Sequence, residues 1–179
     1  MKKNKNYKVL VLLDLKKSSK DTIDYTSKLI SQIDADVECF CVKKPTEIID
    51  TVSQLSAMRE INSECLKTKR QLLELVKPLF KNVTNSVKTS YAIGHVKNEI
   101  EDKLKEFQPD IVVLGKRKQK LLNFLGDDIT NFVSKYQKGA VLVASNKNAF
   151  EVIDKLSLDL KSNKQEVPES KLQVVNTIK

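Results

Sequence analysis

Apolar positions along this chain follow two alternating rhythms. Short apolar runs of strand length are separated by segments in which apolar residues recur every three or four positions. Val9–Leu13 is the first run. Ser18 or Ser19 can cap the helix that follows, whose stripe reads Ile23, Ser27, Ile30 and Ile33. Asp36–Val42 predicts a second strand, stopped by Lys43-Lys44-Pro45. Residues 46–56 show no clear period beyond a short helical turn. Met58, Ile61, Cys65, Leu72, Val76 and Leu79 mark a long helix, with Lys69 filling one turn and Pro78 kinking or ending it. Ser86–Ile93 alternates Val87, Thr89, Tyr91 and Ile93 as a third strand. Val96, Ile100, Leu104 and Phe107 mark a third helix, and Ile111–Leu114 a fourth strand. Ile129, Phe132, Val133 and Tyr136 mark a fourth helix, which Gly139 ends before a fifth strand at Ala140–Ala144.

The order βαβαβαβαβ, with the first, fourth and fifth strands apolar throughout, predicts a parallel sheet covered on both faces. With right-handed crossovers this is an α/β fold, an open three-layer α/β/α sandwich. Ligands in such sheets bind beyond the carboxyl ends of the strands, where the strand order reverses. If the order is 3-2-1-4-5, Asp14 at the end of the first strand and Gly115 at the end of the fourth share that place. Past Asn146 the rhythm changes. The expected organisation is an α/β domain over 1–146 and an extension over 147–179. Residues 148–160 read either as a helix, with Asn148-x-x-Glu151 as its cap, or as an edge strand, because Leu156, Leu158 and Leu160 alternate. The polar tail after Lys161 reads as disordered.

Composition narrows the function classes. The charged fraction is 31%, yet Ile, Leu and Val remain plentiful, which predicts a folded, soluble domain with a polar tail. No apolar run is long enough to span a membrane. The opening MKKNKNYKVLVLLD has too short an apolar run for a leader and reads as a first strand, so a cytoplasmic protein is expected. Cys39 and Cys41 lie two apart on one strand face and cannot readily bridge, so the thiols are expected to be buried and reduced. A single histidine, His95, argues against a zinc site or a histidine triad. The net charge of +9 is uneven: residues 1–20 carry seven lysines against Asp14 alone, whereas 148–179 is balanced. Such clusters attract phosphates or nucleic acid. No aromatics are interleaved for base stacking, which argues against nucleic acid; an anion or nucleic-acid binding module using the basic loops stands as a further alternative.

The richest stretch is PDIVVLGKRKQKLLNFLGDDITNFV, Pro109 to Val133. Strand, glycine, long loop, glycine, helix is how α/β proteins set backbone N–H groups against a phosphate. Lys116, Arg117, Lys118 and Lys120 fill the loop, and Asp127 and Asp128 open the helix. A Walker A loop fails here, because Asp110 and Arg117 stand where a glycine and a hydroxyl residue are needed. The dinucleotide fingerprint, the nucleophile elbow and HExxH are absent too. No catalytic constellation is legible, and no metal site.

Taken together, the chain resembles the universal stress protein (UspA-like) family over residues 8–146. VLVLLD ending at Asp14, the strand running into Val42, the Gly94-His95 turn, DIVVLG ending at Gly115 and AVLVAS carry the likeness. The resemblance implies an adenine nucleotide alpha hydrolase-like fold with the 3-2-1-4-5 sheet, and a homodimer through the last strand, to which 148–160 is expected to add. It implies ATP or a related adenine nucleotide as the candidate ligand, held by a loop of Gly, two residues, Gly, nine residues, Gly, then Ser or Thr. Asp14 matches the acid that contacts the nucleoside, and Val42 the position whose backbone lies beside the adenine. Gly115 matches the first glycine. Lys118 stands in place of the second. Gly126 arrives after seven residues rather than nine, and Asp127 replaces the hydroxyl residue. A side chain at the second position blocks close backbone approach, and a carboxylate at the helix start repels phosphate. Lys116 and its basic neighbours pull the other way. The expected reading is a dimeric binding or regulatory module of the stress response with a degenerate nucleotide site. A working ATP or ADP binder with slow hydrolysis is the alternative.

Overall fold

The structure, a computed structural model, describes residues 6–49, 53–81, 86–115 and 129–144. Its elements are β1 (Tyr7–Leu13), α1 (Ser18–Ile30), β2 (Ala35–Lys43), α2 (Gln54–Val76), β3 (Ser86–Ile93), α3 (Val96–Phe107), β4 (Ile111–Gly115), α4 (Ile129–Tyr136) and β5 (Ala140–Ala144). The five strands form one parallel sheet in the order β3-β2-β1-β4-β5. β1 is central because its run Val9–Leu13 is buried from end to end, which suits a strand with a neighbour on each edge and helices on both faces.

Successive side chains of a strand point to opposite faces. Leu10 and Leu12 of β1, Phe40 of β2, and Val112 and Leu114 of β4 form one core with Ile100 and Leu104 of α3 and Ile129 and Val133 of α4. The alternate positions, Val9, Val11, Val37 and Val113, turn the other way. On that side α1 and α2 bury Ile23, Leu29, Leu72 and Val76. The chain divides into two units, Met1–Ala149 and Phe150–Lys179. The second lies wholly outside the described residues, as does the expected extension over 147–179.

Several local expectations are corrected. Neither serine caps α1: Lys17 holds the cap position without a side-chain bond, and Ser18 and Ser19 are already helical. Ile23 and Ile30 of the expected α1 stripe are buried, but the rest of the buried face is Ser19, Thr22, Tyr25, Thr26 and Leu29 rather than Ser27 and Ile33. Thr22 and Thr26 enter because their hydroxyls bond back to Ser18 O at 3.1 Å and Thr22 O at 2.8 Å, which satisfies a polar group on an otherwise dry face. On α2 the buried positions are Thr68, Leu72 and Val76, and Met58 is 54% exposed, so only the second half of that helix faces the core. Pro78 does end it, in a 3-10 turn over Lys77–Lys81. β5, apolar throughout, is the edge strand that the 3-2-1-4-5 order requires, with Val143 exposed. Gly139 does not close α4, which stops at Tyr136, and no glycine among the described residues has a positive φ. Gly139 is needed because a Cβ there would run into the Asp110 carbonyl. That carbonyl receives the Ala140 N–H at 2.9 Å and so sets the start of β5.

Candidate functional site

Leu13 lies against Cys41 of β2, and Leu12 lies against Leu114 of β4. Asp14 therefore leaves β1 between the ends of its two neighbours, Val42 on one side and Gly115 on the other. The parallel sheet puts all three at its carboxyl edge, and β1/β4 is where the strand order reverses.

The β1–α1 turn is built on Asp14. One carboxylate oxygen, Oδ1, accepts the Lys16 N–H at 3.0 Å and the Ser19 hydroxyl at 2.9 Å. These bonds hold the chain while Leu15 takes a left-handed conformation, φ 56°. That conformation costs a non-glycine residue about 1–2 kcal/mol. Both bonds use one oxygen, which leaves Oδ2 of this half-buried side chain for another donor.

Gly115 closes the other wall. A Cβ on it would sit 2.7 Å from Thr22 Oγ1, closer than real Cβ contacts come. Glycine here lets the first turns of α1 press onto the end of β4. Val42 is partly buried, packed against the α3/α4-side core. The adjacent Lys43 carbonyl receives the Gly94 N–H at 3.0 Å, which ties the β3 exit to the β2 exit.

The charge around the turn is basic. Lys16, Lys17 and Lys20 are exposed at the start of α1, the positive end of its dipole. Against them stand Asp14 in the turn and Asp21 in the first turn of the helix, which leaves a small cationic excess. Lys116, Lys118, Gly126 and Asp127 lie outside the described residues.

The two β2 thiols are poor nucleophiles. Burial pushes Cys39 up to about 12. Burial pushes Cys41 up to about 11, with Asp14 and Glu47 adding and Lys43 opposing. All three cysteines are free, with Cys39 and Cys41 buried. His95 is exposed and precedes α3. Among the described residues no group of His, Cys, Asp and Glu side chains could hold a metal ion. Also among them, no helix is long and apolar enough to cross a membrane.

Ser19, Thr22 and Leu15 were not legible as site residues. Ser19 reads as a cap in the sequence; the structure shows it bonding Asp14, and Thr22 packing on Gly115. Also missed was Glu38 in mid-β2. It is 8% exposed and sits 3.1 Å from Lys103 of α3, which lies over the Phe40 ring. Ser90 of β3 donates to the same carboxylate. An acid inside an apolar strand was the available signal.

A parallel 3-2-1-4-5 sheet with helices on both faces defines an open, doubly wound α/β protein. The Universal stress protein family model matches residues 6–145, and the chain belongs to that family. A search of curated proteins finds no match. Among solved structures, universal stress protein UspA from Lactobacillus plantarum is 17% identical with a TM-score of 0.64, over 79% of this chain and 100% of that one. A universal stress family protein from Arabidopsis thaliana with AMP bound is 19% identical, TM-score 0.53, over 81% and 94%. The Archaeoglobus fulgidus universal stress protein in complex with dAMP is 12% identical, TM-score 0.52, over 78% and 98%. At these identities the likeness is one of fold.

Proposed function

We propose that this chain is a cytosolic, dimeric universal-stress-type module that acts by binding rather than catalysis, with a nucleotide site degenerate on its phosphate side. The nucleoside side is kept: Asp14, Val42 and Gly115 stand at one sheet edge, on three adjacent strands. The phosphate side is altered in the sequence, by Lys118 for a glycine, a loop shorter by two residues and Asp127 for a hydroxyl residue. The observation that carries the reading is the state of Asp14. Its Oδ1 is committed to the turn and Oδ2 is left over, which suits one ribose hydroxyl. The AMP and dAMP complexes of fold neighbours support an adenine nucleotide as the ligand class. A hydrolytic step would have to rest on positioning and lysine charge, because the sequence shows no general-base motif.

The test is calorimetric titration at low salt with AMP and ATP. Binding weaker than about 100 μM, without added preference for the triphosphate and without hydrolysis, fits the proposal. Micromolar ATP binding lost on Asp14→Ala and on Lys118→Glu would establish the second reading, a working ATP binder. The basic N-terminal turn of α1 favours that second reading.

A further inference from the structure

The outward side of α2 is used neither by the fold nor by the crevice. Leu55, Leu66 and Leu73 are 75%, 61% and 41% exposed, and Phe80, just past the helix, is 54% exposed. Intervals of eleven and seven residues are each close to a whole number of helical turns. The three leucines therefore stand in one row, about 27 Å long at 1.5 Å per residue. Leu72, which faces the core, is about 100° around the helix from Leu73, so the row is clear of the sheet contact.

The charge beside this row is one-sided. Arg70, four residues after Leu66, lines one flank, Lys69, three after it, lines the other, and Arg59, seven before it, stands at the row's upper end between Leu55 and Leu66. All three are exposed, and none pairs with a carboxylate among the described residues. Of the acids on this helix, Glu64 is engaged with Lys43 and Lys67 and Glu74 with Lys77, and Glu60 has a partner as well.

An apolar row at heptad spacing with unbalanced cations on both flanks is complementary to a helix carrying an apolar seam between carboxylates. A bilayer fits less well. The row is one side chain wide and the chain has no tryptophan, whereas a helix lying in a membrane interface buries a broad face. We propose that α2 docks an acidic amphipathic helix of a partner protein, with Leu66, Leu73 and Phe80 seating its seam and Arg59, Lys69 and Arg70 meeting its carboxylates.

The probe is a fluorescently labelled helical peptide of about four heptads with leucine at a and d and glutamate at e and g, charges that oppose self-pairing at neutral pH. Titration with the full chain should raise its anisotropy to saturation. Affinity should fall at least about tenfold in Leu66→Glu/Leu73→Glu, and about threefold in Arg59→Glu/Arg70→Glu or in added salt. Circular dichroism checks that both variants fold, as exposed substitutions should. Absent binding, or equal affinity for a peptide with lysine at e and g, overturns the proposal. So does binding to phosphatidylserine vesicles in place of the peptide, or light scattering that shows the row buried between two copies and freed by Leu66→Glu/Leu73→Glu.

Discussion

Gly115 and Thr22 show how far the crevice depends on single atoms. The contact that a Cβ at 115 would make is with a hydroxyl held by its own bond to Ser18 O, so Thr22 cannot swing away freely. Gly115→Ala should destabilise the fold by about 1–3 kcal/mol, the usual range for overpacking. Adding Thr22→Ala should recover much of that loss, and urea denaturation of the two single variants and the double variant measures the coupling. Gln108 offers the opposite case. It ends α3 in a left-handed conformation, φ 48°, exposed, with its N–H on Leu104 O. Glycine removes the Cβ penalty of about 1–2 kcal/mol and adds back roughly 0.5–1 kcal/mol of unfolded-chain entropy. Gln108→Gly should therefore raise the stability slightly, by up to about 1 kcal/mol, in the same assay. The thiols separate by burial: an Ellman-type reagent should modify Cys65 in the native protein and reach Cys39 and Cys41 only in denaturant. Early reaction of Cys39 would contradict the buried strand.

Among the elements, those with an unbroken period were read correctly from sequence. β3 was expected at Ser86–Ile93 and lies there; α3 buries Ile100 and Leu104 as its stripe requires. Misreadings came where a polar side chain takes an apolar place. Thr22, Thr26 and Thr68 are buried yet invisible to a hydrophobic period. Met58 and Leu55 are apolar yet exposed, because α2 is longer than the sheet face that covers it. The site was legible in part for a similar reason. Strand ends can be counted, so Asp14 and Gly115 could be named, and the family resemblance added Val42, but the bonds that make Asp14 a turn anchor depend on where α1 begins. The Glu38–Lys103 pair joins β2 to α3 through side chains only 11% and 12% exposed. Lys103→Met should cost about 3–5 kcal/mol by stranding Glu38, and Glu38→Leu/Lys103→Met should cost far less, since both desolvated charges go together. Burial disfavours the Lys103 charge, but hydrogen bonds to Glu106 and Glu38 outweigh it and raise the pKa above 10.5. The sign follows: the pair's contribution is complete below the unfolded-state pKa and is lost as pH rises through the folded one. Denaturation midpoints should fall in the alkaline range above about pH 10.5 in the native chain and stay flatter in the double variant.

For the molecule as a whole, β5 is the open question. The sheet ends on one side at β3 and on the other at β5, and a parallel sheet edge presents unpaired backbone groups that proteins usually cover. β5 is short, five residues; its Val143 is 39% exposed, and Tyr136 of the preceding α4 is 45% exposed. The proposed dimer would pair this edge with its copy across a two-fold axis, so that each Val143 meets the same surface of the partner. A charge on the edge is the usual block to such pairing. Val143→Lys should therefore convert a dimer into a monomer in light scattering at tens of micromolar, a range in which a moderately tight dimer is populated. Its thermal midpoint should also lose its dependence on protein concentration, because the folded monomer no longer gains from association. Leu66→Glu/Leu73→Glu on α2 should leave that dimer intact, since the two surfaces belong to different elements. A native chain that scatters as a monomer would remove the dimer while leaving the crevice between β1 and β4 unaffected, because every residue placed there comes from one chain.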